Sequence, residues 1–431
     1  MNRGSHIMLD CTGANGVEGS WMLELMQQAV DQSGATRVHS HVEIFDGSRS
    51  PPGFAAVVLL DESHVSAHCY SEGGILAIDA FTCGNTEPEE IVNKIESKLR
   101  ERFPGLITNH SQKVGRFMSE NSEGGIKKFV DRHFQHFNAG ALQNAAKSLA
   151  NFLNEGGKLV ITLAGAMSTA EIGKSLAPLI RSGKVHAICC TGANLEEDVF
   201  HLVAGSSYRK IPDWRNLTAK DEAELHEQGF NRVTDTCIPE ELAIRTIEKQ
   251  IVEQWKKHSA FPHEHLMAII EDIDHDMPSE DSWLLAAKHA DIPVFVPGWE
   301  DSTLGNIFTA HCISGEVETK SVKSGIDYMM MLAEWYSSQD NPVGLLQIGG
   351  GIAGDFPICV VPMLRQDMGR DVSMWAWFAQ ISEASASYGG YSGAYPSEKI
   401  TWGKLAPDTP MHIIESDASI VAPILFSYIL D

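Results

Sequence analysis

The feature that most constrains the fold is a pattern repeated four times in the larger, C-terminal part of the chain. An apolar run of strand length ends each time in a turn of small residues. Lys158 to Leu163 runs into Ala164-Gly165-Ala166, and Val185 to Cys190 into Thr191-Gly192-Ala193-Asn194. Ile292 to Val296 runs into Pro297-Gly298, and Leu345 to Ile348 into Gly349-Gly350-Gly351. Runs that stay apolar instead of alternating are what strands buried on both faces look like. A helical pattern follows the first turn, from Ser168 to Arg181. The expectation is an α/β domain, a doubly wound, Rossmann-like parallel sheet. Such sheets bind ligands at the carboxyl ends of their strands, which is where these glycines fall.

Residues 1–104 read differently. Ile7-Met8-Leu9, Gly53 to Leu60 and Gly74 to Phe81 are strand candidates. Trp21 to Gln32 and Thr86 to Phe103 carry apolar residues at helical spacing. This predicts a small α+β unit, helices on an antiparallel sheet. Residues 105–124 are mostly polar, hold Asn, Ser and Gly, and show no clean period, so they are expected to be a linker. The large domain then covers 125–431.

The chain has 431 residues, 43% hydrophobic and 21% charged, with a formal net charge of −24. At roughly 100–200 residues per domain, two or three domains are expected. A negative field repels phosphate backbones and attracts cationic amines, so no nucleic-acid partner is expected. Eight cysteines occur with no Cys-x-x-Cys pair, which argues against a zinc ribbon or a disulfide framework, and no metal site is expected. No apolar run approaches the ~18 residues of a membrane helix. Met1 to His6 lack the apolar core of a signal peptide. The expected setting is cytoplasmic, without a membrane partner.

Two constellations carry chemistry. The first is Glu62-Ser63-His64, with His68 and Cys83 downstream. An internal serine can attack the preceding carbonyl, and elimination of the resulting ester leaves a pyruvoyl group on the new N-terminus. Its ketone forms a Schiff base with a substrate amine and draws electrons from the bond to a departing carboxylate. The chemistry asks for a serine in a tight turn, a proton carrier and an acid. Ser63, His68 and Cys83 are residues of those types. A serine near a histidine is by itself more often a loop contact, and a buried cysteine is usually inert.

His6 with Asp10, Ser50-Pro51 with Gly53, Glu62-Ser63-His64, His68, Glu72 and Asp79-Ala80-Phe81-Thr82-Cys83-Gly84 together resemble the small bacterial S-adenosylmethionine decarboxylases. The resemblance implies cleavage between Glu62 and Ser63, a pyruvoyl cofactor made from Ser63, His68 assisting processing, and Cys83 as catalytic acid. Three positions depart from it. Arg49 stands where the family has an aromatic residue, Tyr70-Ser71 where it has Trp-Pro, and Ala55 where it has a serine. Aromatics suit an adenine ring through stacking, whereas a guanidinium suits a carboxylate. With Arg49, Tyr70 and Glu72 as substrate contacts, the expected substrate is a basic amino acid, ornithine first and arginine second.

The second constellation is Glu398 followed by Trp402-Gly403-Lys404. A lysine beside an aromatic wall can lose ammonium solvation and become nucleophilic. Alone, the same residues read as a surface lysine and a core tryptophan. However, Ala164 to Ser168, Thr191 to Asp198, Pro293 to Pro297, Asp301 to Gly305, the triple glycine, Pro396-Ser397-Glu398, Trp402-Gly403-Lys404 and Asp417-Ala418-Ser419 resemble the deoxyhypusine synthases. The likeness is to the branch that includes bacterial homospermidine synthases. It implies NAD-dependent aminobutyl transfer through an imine on Lys404. By that resemblance Gly165, Ala166, Met167, Ser168, Thr169, Thr191, Gly192, Ala193, Glu197, Asp301, Gly350, Asp417 and Ala418 hold NAD. Glu196, Glu398 and Trp402 line the amine channel. Departures cluster in that channel: a family histidine is replaced around Asp355-Phe356, one carboxylate is Asn306 and another is Tyr391.

A small diamine is therefore the expected acceptor. Putrescine made from ornithine would feed the second chemistry, and decarboxylated S-adenosylmethionine would not. The expected whole is a bifunctional polyamine-synthesis enzyme, an ornithine decarboxylase fused to a homospermidine synthase. Two alternatives stand: an S-adenosylmethionine decarboxylase fused to a deoxyhypusine synthase-like enzyme, and a first unit that is an unprocessed amine-sensing module. The partners are small amino acids and polyamines. Both resemblances imply oligomers, the second a homotetramer.

Overall fold

Alternation at period two builds the first unit. In β4 (Ser63–Tyr70), Val65, Ala67 and Cys69 are buried while His64, Ser66 and His68 are not. The same rhythm runs through β1 (Gly4–Thr12), β3 (Gly53–Leu60) and β5 (Ile75–Thr82), while β2 (Arg37–Phe45) alternates only between exposed and half-buried positions. With β6 (Ile107–Arg116) they form one antiparallel sheet in the order β2-β3-β4-β5-β1-β6. Helices α1 (Gly19–Asp31) and α2 (Pro88–Arg102) cover one face. They bring Met22, Leu25, Met26, Ala29 and Val30, then Ile91, Val92, Ile95 and Leu99, into a shared core. Each large aliphatic side chain so buried stabilises by roughly 1.5–3 kcal/mol. Pro88 starts α2, Glu89 and Glu90 lie in its first turn, and Arg100 and Arg102 lie in its last, all complementary to the helix dipole.

This computed structural model describes residues 4–48, 50–61, 63–83, 86–116 and 125–431. Arg49, Glu62 and Gly84, which the sequence singled out, lie outside the described residues, as does 117–124. The chain divides into two units, residues 1–122 and 123–431. The segment 105–124, expected to be a linker, contains β6, a strand paired along its length with β1. Ile107 to Arg116 is nearly all polar, so it has no alternation to read. It is held as an edge strand by backbone pairing.

In the second unit β7 (Lys158–Leu163) and β8 (Ala187–Cys190) come first. A small sheet of β9 (Arg209–Lys210), β10 (Phe230–Val233) and β11 (Thr236–Pro239) follows. Then come β12 (Val294–Phe295), β13 (Val343–Ile348), β14 (Trp377–Ile381) and β15 (Met411–Ile414). The main sheet is parallel throughout, in the order β12-β8-β7-β13-β14-β15. Every residue of β8, β13 and β14 is buried, as strands covered on both faces must be. The chain winds outward from β7 through β8 to β12, then returns to β7's other side at β13. That reversal opens a crevice at the carboxyl ends of β7 and β13.

The helix expected from Ser168 starts later, at Gly173. Ser168 is held instead by Asn194, whose Oδ1 accepts from the Ser168 backbone at 2.9 Å, and by Trp283, whose Nε1 donates to its hydroxyl at 3.0 Å. Among the described residues no helix is long and apolar enough to cross a membrane.

Candidate active sites

In the first unit, Ser63 opens β4 opposite Leu60 and Thr82. Cys83, half-buried, is therefore one residue beyond Ser63's neighbour on β5. Ser63 Oγ lies 3.2 Å from His64 Nδ1. The rings of His64 and His6 both pack on Phe81, at 6.0 and 5.8 Å, and His6 Nε2 lies 3.2 Å from Asp79 Oδ1. The histidine beside Ser63 within one chain is thus His64.

An extended strand rises ~3.4 Å per residue, so His68, five residues on, sits roughly 17 Å along β4. It lies opposite Ala55 and Ala77 and packs edge-on against Tyr70 at 4.9 Å. Glu72 is exposed in the turn just beyond, its carbonyl held by Asn15. Within one chain, then, Ser63 and Cys83 gather at one end of β4, and His68, Tyr70 and Glu72 at the other.

In the second unit, a cavity of about 560 Å³ sits in the β7/β13 crevice. Gly165, Met167, Thr191, Gly350, Asp417 and Ala418 line it. Asn194, not foreseen, organises the rim by donating from Nδ2 to the carbonyls of Leu163, Ala164 and Gly165 at 3.1, 3.3 and 2.7 Å. Thr191 caps the helix Gly192–Ala204, whose N-terminus begins at this rim. At Gly350 a Cβ would meet Ser392 Oγ at 1.9 Å, so only glycine leaves this wall as close as it is. Glycine backbone and a helix N-terminus suit an anionic pyrophosphate. The remaining expected contacts stand back from this lining. Ala166, Ser168 and Thr169 belong to the turn after β7, Gly192 and Ala193 open the helix Gly192–Ala204, and Asp301 is exposed in the turn before the helix Thr303–Ile313.

The acidic run Glu196-Glu197-Asp198 is buried. Glu196, expected in the amine channel, is held by two backbone hydrogen bonds. Its carboxylate accepts from the backbone of Thr303 at 2.9 Å and Leu304 at 2.7 Å, capping that helix. Asp198 does the same for the helix Trp283–His289. Glu197 accepts from the Thr169 hydroxyl, and burial pushes its carboxyl up to about 7. Asn306 is exposed and bonds the carbonyl of Ser302.

A second cavity of about 600 Å³ holds Lys404. Gly403, at φ +67°, reverses the chain after Trp402. Lys404 then turns inward, 7% exposed, with Nζ 3.1 Å from Asp355 Oδ1. Its ammonium lies 5.6 Å from the Tyr391 ring centre and 5.9 Å from that of Trp402, itself 68% exposed. Glu398 lines the same cavity. The Tyr391 hydroxyl donates to Gln347 Oε1 at 2.8 Å, and burial pushes the phenol up. Tyr391 lines this cavity and Ser392 the other, so the two cavities share one wall. Lys399, also in the lining, is a second buried lysine that the sequence motifs did not single out. Only its position five residues before Lys404 hinted at it.

Comparison with known proteins matches residues 131–429 to the deoxyhypusine synthase family model and residues 5–104 to the S-adenosylmethionine decarboxylase model. A deoxyhypusine synthase-like protein of Nostoc sp. is 26% identical over 322 residues, covering 71% of this chain and 81% of the relative. A probable deoxyhypusine synthase 1 of Archaeoglobus fulgidus is 27% identical over 314 residues, covering 68% and 90%. The crystal structure of an adenosylmethionine decarboxylase from Aquifex aeolicus is 26% identical, spans 28% of this chain and 96% of its own, and superposes with a TM-score of 0.22.

Proposed function

Because the chain belongs to the deoxyhypusine synthase family and joins that domain to an S-adenosylmethionine decarboxylase-like one, we propose that it is a bifunctional enzyme of polyamine synthesis. Its first unit decarboxylates a basic amino acid, ornithine foremost, and its second makes homospermidine from the resulting putrescine. The observation that carries this reading is Lys404, a buried amine paired with Asp355 in a cavity that shares a wall with a glycine-lined crevice.

NAD, when bound, supplies a hydride acceptor and donor. Gly165, Thr191, Gly350 and Asp417 would hold it. Asp355 and Glu398 attract the cationic amine, and the Tyr391 and Trp402 faces favour a cation over a neutral chain. Lys404 supplies the amine that carries the four-carbon unit as an imine, and a diamine displaces it. Loss of the family's carboxylates at Asn306 and Tyr391 leaves less negative charge than a longer polyamine asks for. In the first unit, a pyruvoyl group made from Ser63 would supply the electron sink. His64, 3.2 Å from Ser63 Oγ, would move a proton there, and Cys83 would protonate the product carbon. We place the chain in the cytoplasm as a homotetramer.

A second reading, an unprocessed amine-sensing first unit, is favoured by one observation: Ala55, without a hydroxyl, faces His68. Feeding labelled ornithine, arginine or S-adenosylmethionine with NAD and following amines by mass spectrometry separates these. Ornithine should give putrescine and homospermidine. S63A should stop the first product and chain cleavage, and K404A should stop only the second. Carbon dioxide from S-adenosylmethionine alone would overturn the ornithine assignment, and an uncleaved wild-type chain would favour the sensing module.

A further inference from the structure

Lys399 lies in the one-turn helix Glu398–Thr401 and is 3% exposed. Its ammonium sits 5.0 Å from the ring centre of Phe378 and 4.9 Å from that of Tyr391, and donates to the Ala394 carbonyl at 3.3 Å. Among the described residues no carboxylate reaches ion-pair distance of it, whereas Lys404, over the same Tyr391 ring, has Asp355 at 3.1 Å. A lysine has three N–H donors. One is used on the Ala394 carbonyl, and Lys399 lines the cavity that holds Lys404. The charged groups facing it are Lys404 across the turn, Glu398 on its own turn and Asp355 from the helix Gly351–Ile358, while Tyr391 and Cys359 are neutral neighbours. Burial first, then the charge of Lys404, brings the Lys399 ammonium down to about 8.

Amines reach such a pocket as ammonium ions. A nitrogen must lose a proton before its carbon can give up hydride or its lone pair can attack an imine, and a buried lysine is a suitable acceptor near neutral pH. We propose that Lys399 is the general base of the amine pocket. The N–H bond of the substrate's ammonium breaks, an N–H bond forms on Lys399 Nζ, and the electron pair stays on the substrate nitrogen. The step is a proton transfer and needs no oxidant or reductant. It rests on the reading that this cavity takes an amine, and it names the residue that prepares that amine.

Calorimetry on the full chain tests it, with putrescine as the probe titrated in buffers of different ionisation enthalpy. A cation entering beside Lys399 forces one of the two to shed a proton. Wild type should therefore release close to one proton per putrescine at pH 7 and far less at pH 9. K399M should release almost none at either pH. Turnover of K399M should fall about 10²–10⁴-fold. K399A should be partly rescued by methylamine in proportion to its free base, a response no packing defect gives. Where K399M does not fold, K399R serves: it keeps the charge, is never a base at these pH values, and should be equally slow. Proton release in K399M equal to wild type, or K399R as fast as wild type, would overturn the assignment while leaving the amine pocket standing. No putrescine heat in wild type would overturn both.

Discussion

At the residue scale, the second unit places two lysines over one tyrosine ring and gives only one of them a carboxylate. That difference separates their roles. In the proposed reading, Lys404, paired with Asp355, carries the carbon unit, and Lys399, without a carboxylate partner among the described residues, takes up the proton. Gly350 has an equally local duty. Its would-be Cβ lies 1.9 Å from Ser392 Oγ, and the Ser392 carbonyl is itself tied to Gln380 at 2.6 Å. Alanine there must push out the Tyr391–Gly393 turn, the wall between the two cavities. We expect G350A to bind NAD at least ~10-fold more weakly, with a stability loss of roughly 1–3 kcal/mol, the range for forcing extra volume into a packed site. Equilibrium binding of NAD alongside thermal unfolding measures both, and an unchanged dissociation constant would show that this wall does not face the cofactor.

At the element scale, the helix Gly192–Ala204 organises the second unit's architecture. Glu196 and Asp198 cap two other helices from within it, each offsetting a burial penalty with charge-assisted hydrogen bonds to a helix N-terminus. Glu197 accepts from Thr169, and burial raises it from 4.5 to about 7. Between those two values the folded chain keeps a proton that the unfolded chain has lost. This group's contribution is therefore fully present below pH 4.5 and falls as pH rises toward 7. Glutamine cannot ionise and removes that slope. Relative to wild type, E197Q should gain up to roughly 3 kcal/mol between the two pH values. Urea unfolding of both proteins at acid and neutral pH gives the comparison. Parallel pH profiles would place the Glu197 charge in solvent.

At the scale of the whole molecule, each unit owns a core. Leu9, Phe54, Val58, Ile78 and Ile95 belong to one, and Val160, Ile188, Phe295, Leu345 and Phe378 to the other. Separate cores imply separate folding. We expect residues 1–122 and 123–431, expressed apart, each to unfold cooperatively. The larger piece should keep aminobutyl transfer from added putrescine within a few-fold of the intact chain. Calorimetric scans and product analysis check this. Loss of the transition in 123–431 would mean that its stability depends on the first unit.

Much of this was legible in local sequence because its cause is local. Gly53–Leu60 and Lys158–Leu163 have the ends their apolar runs mark, and each small-residue turn falls at a strand's carboxyl end. Trp402-Gly403-Lys404 by itself reads as a surface lysine and a core tryptophan; the structure does the reverse, burying Lys404 and exposing Trp402, because a glycine at positive φ reverses the chain between them. What stayed hidden depends on partners distant in sequence. The polar strand β6 exists because β1 offers it backbone bonds, and Ser168 stays out of a helix because Asn194 and Trp283 claim it. Glu196, expected in the amine channel, and Glu197, expected at the cofactor, each make buried hydrogen bonds to residues far away in sequence. Residue types and their spacing thus determined which chemistry this chain is equipped for. Tertiary structure alone decided which charges were stripped of water and paired, and so which lysine has a carboxylate partner and which has none among the described residues.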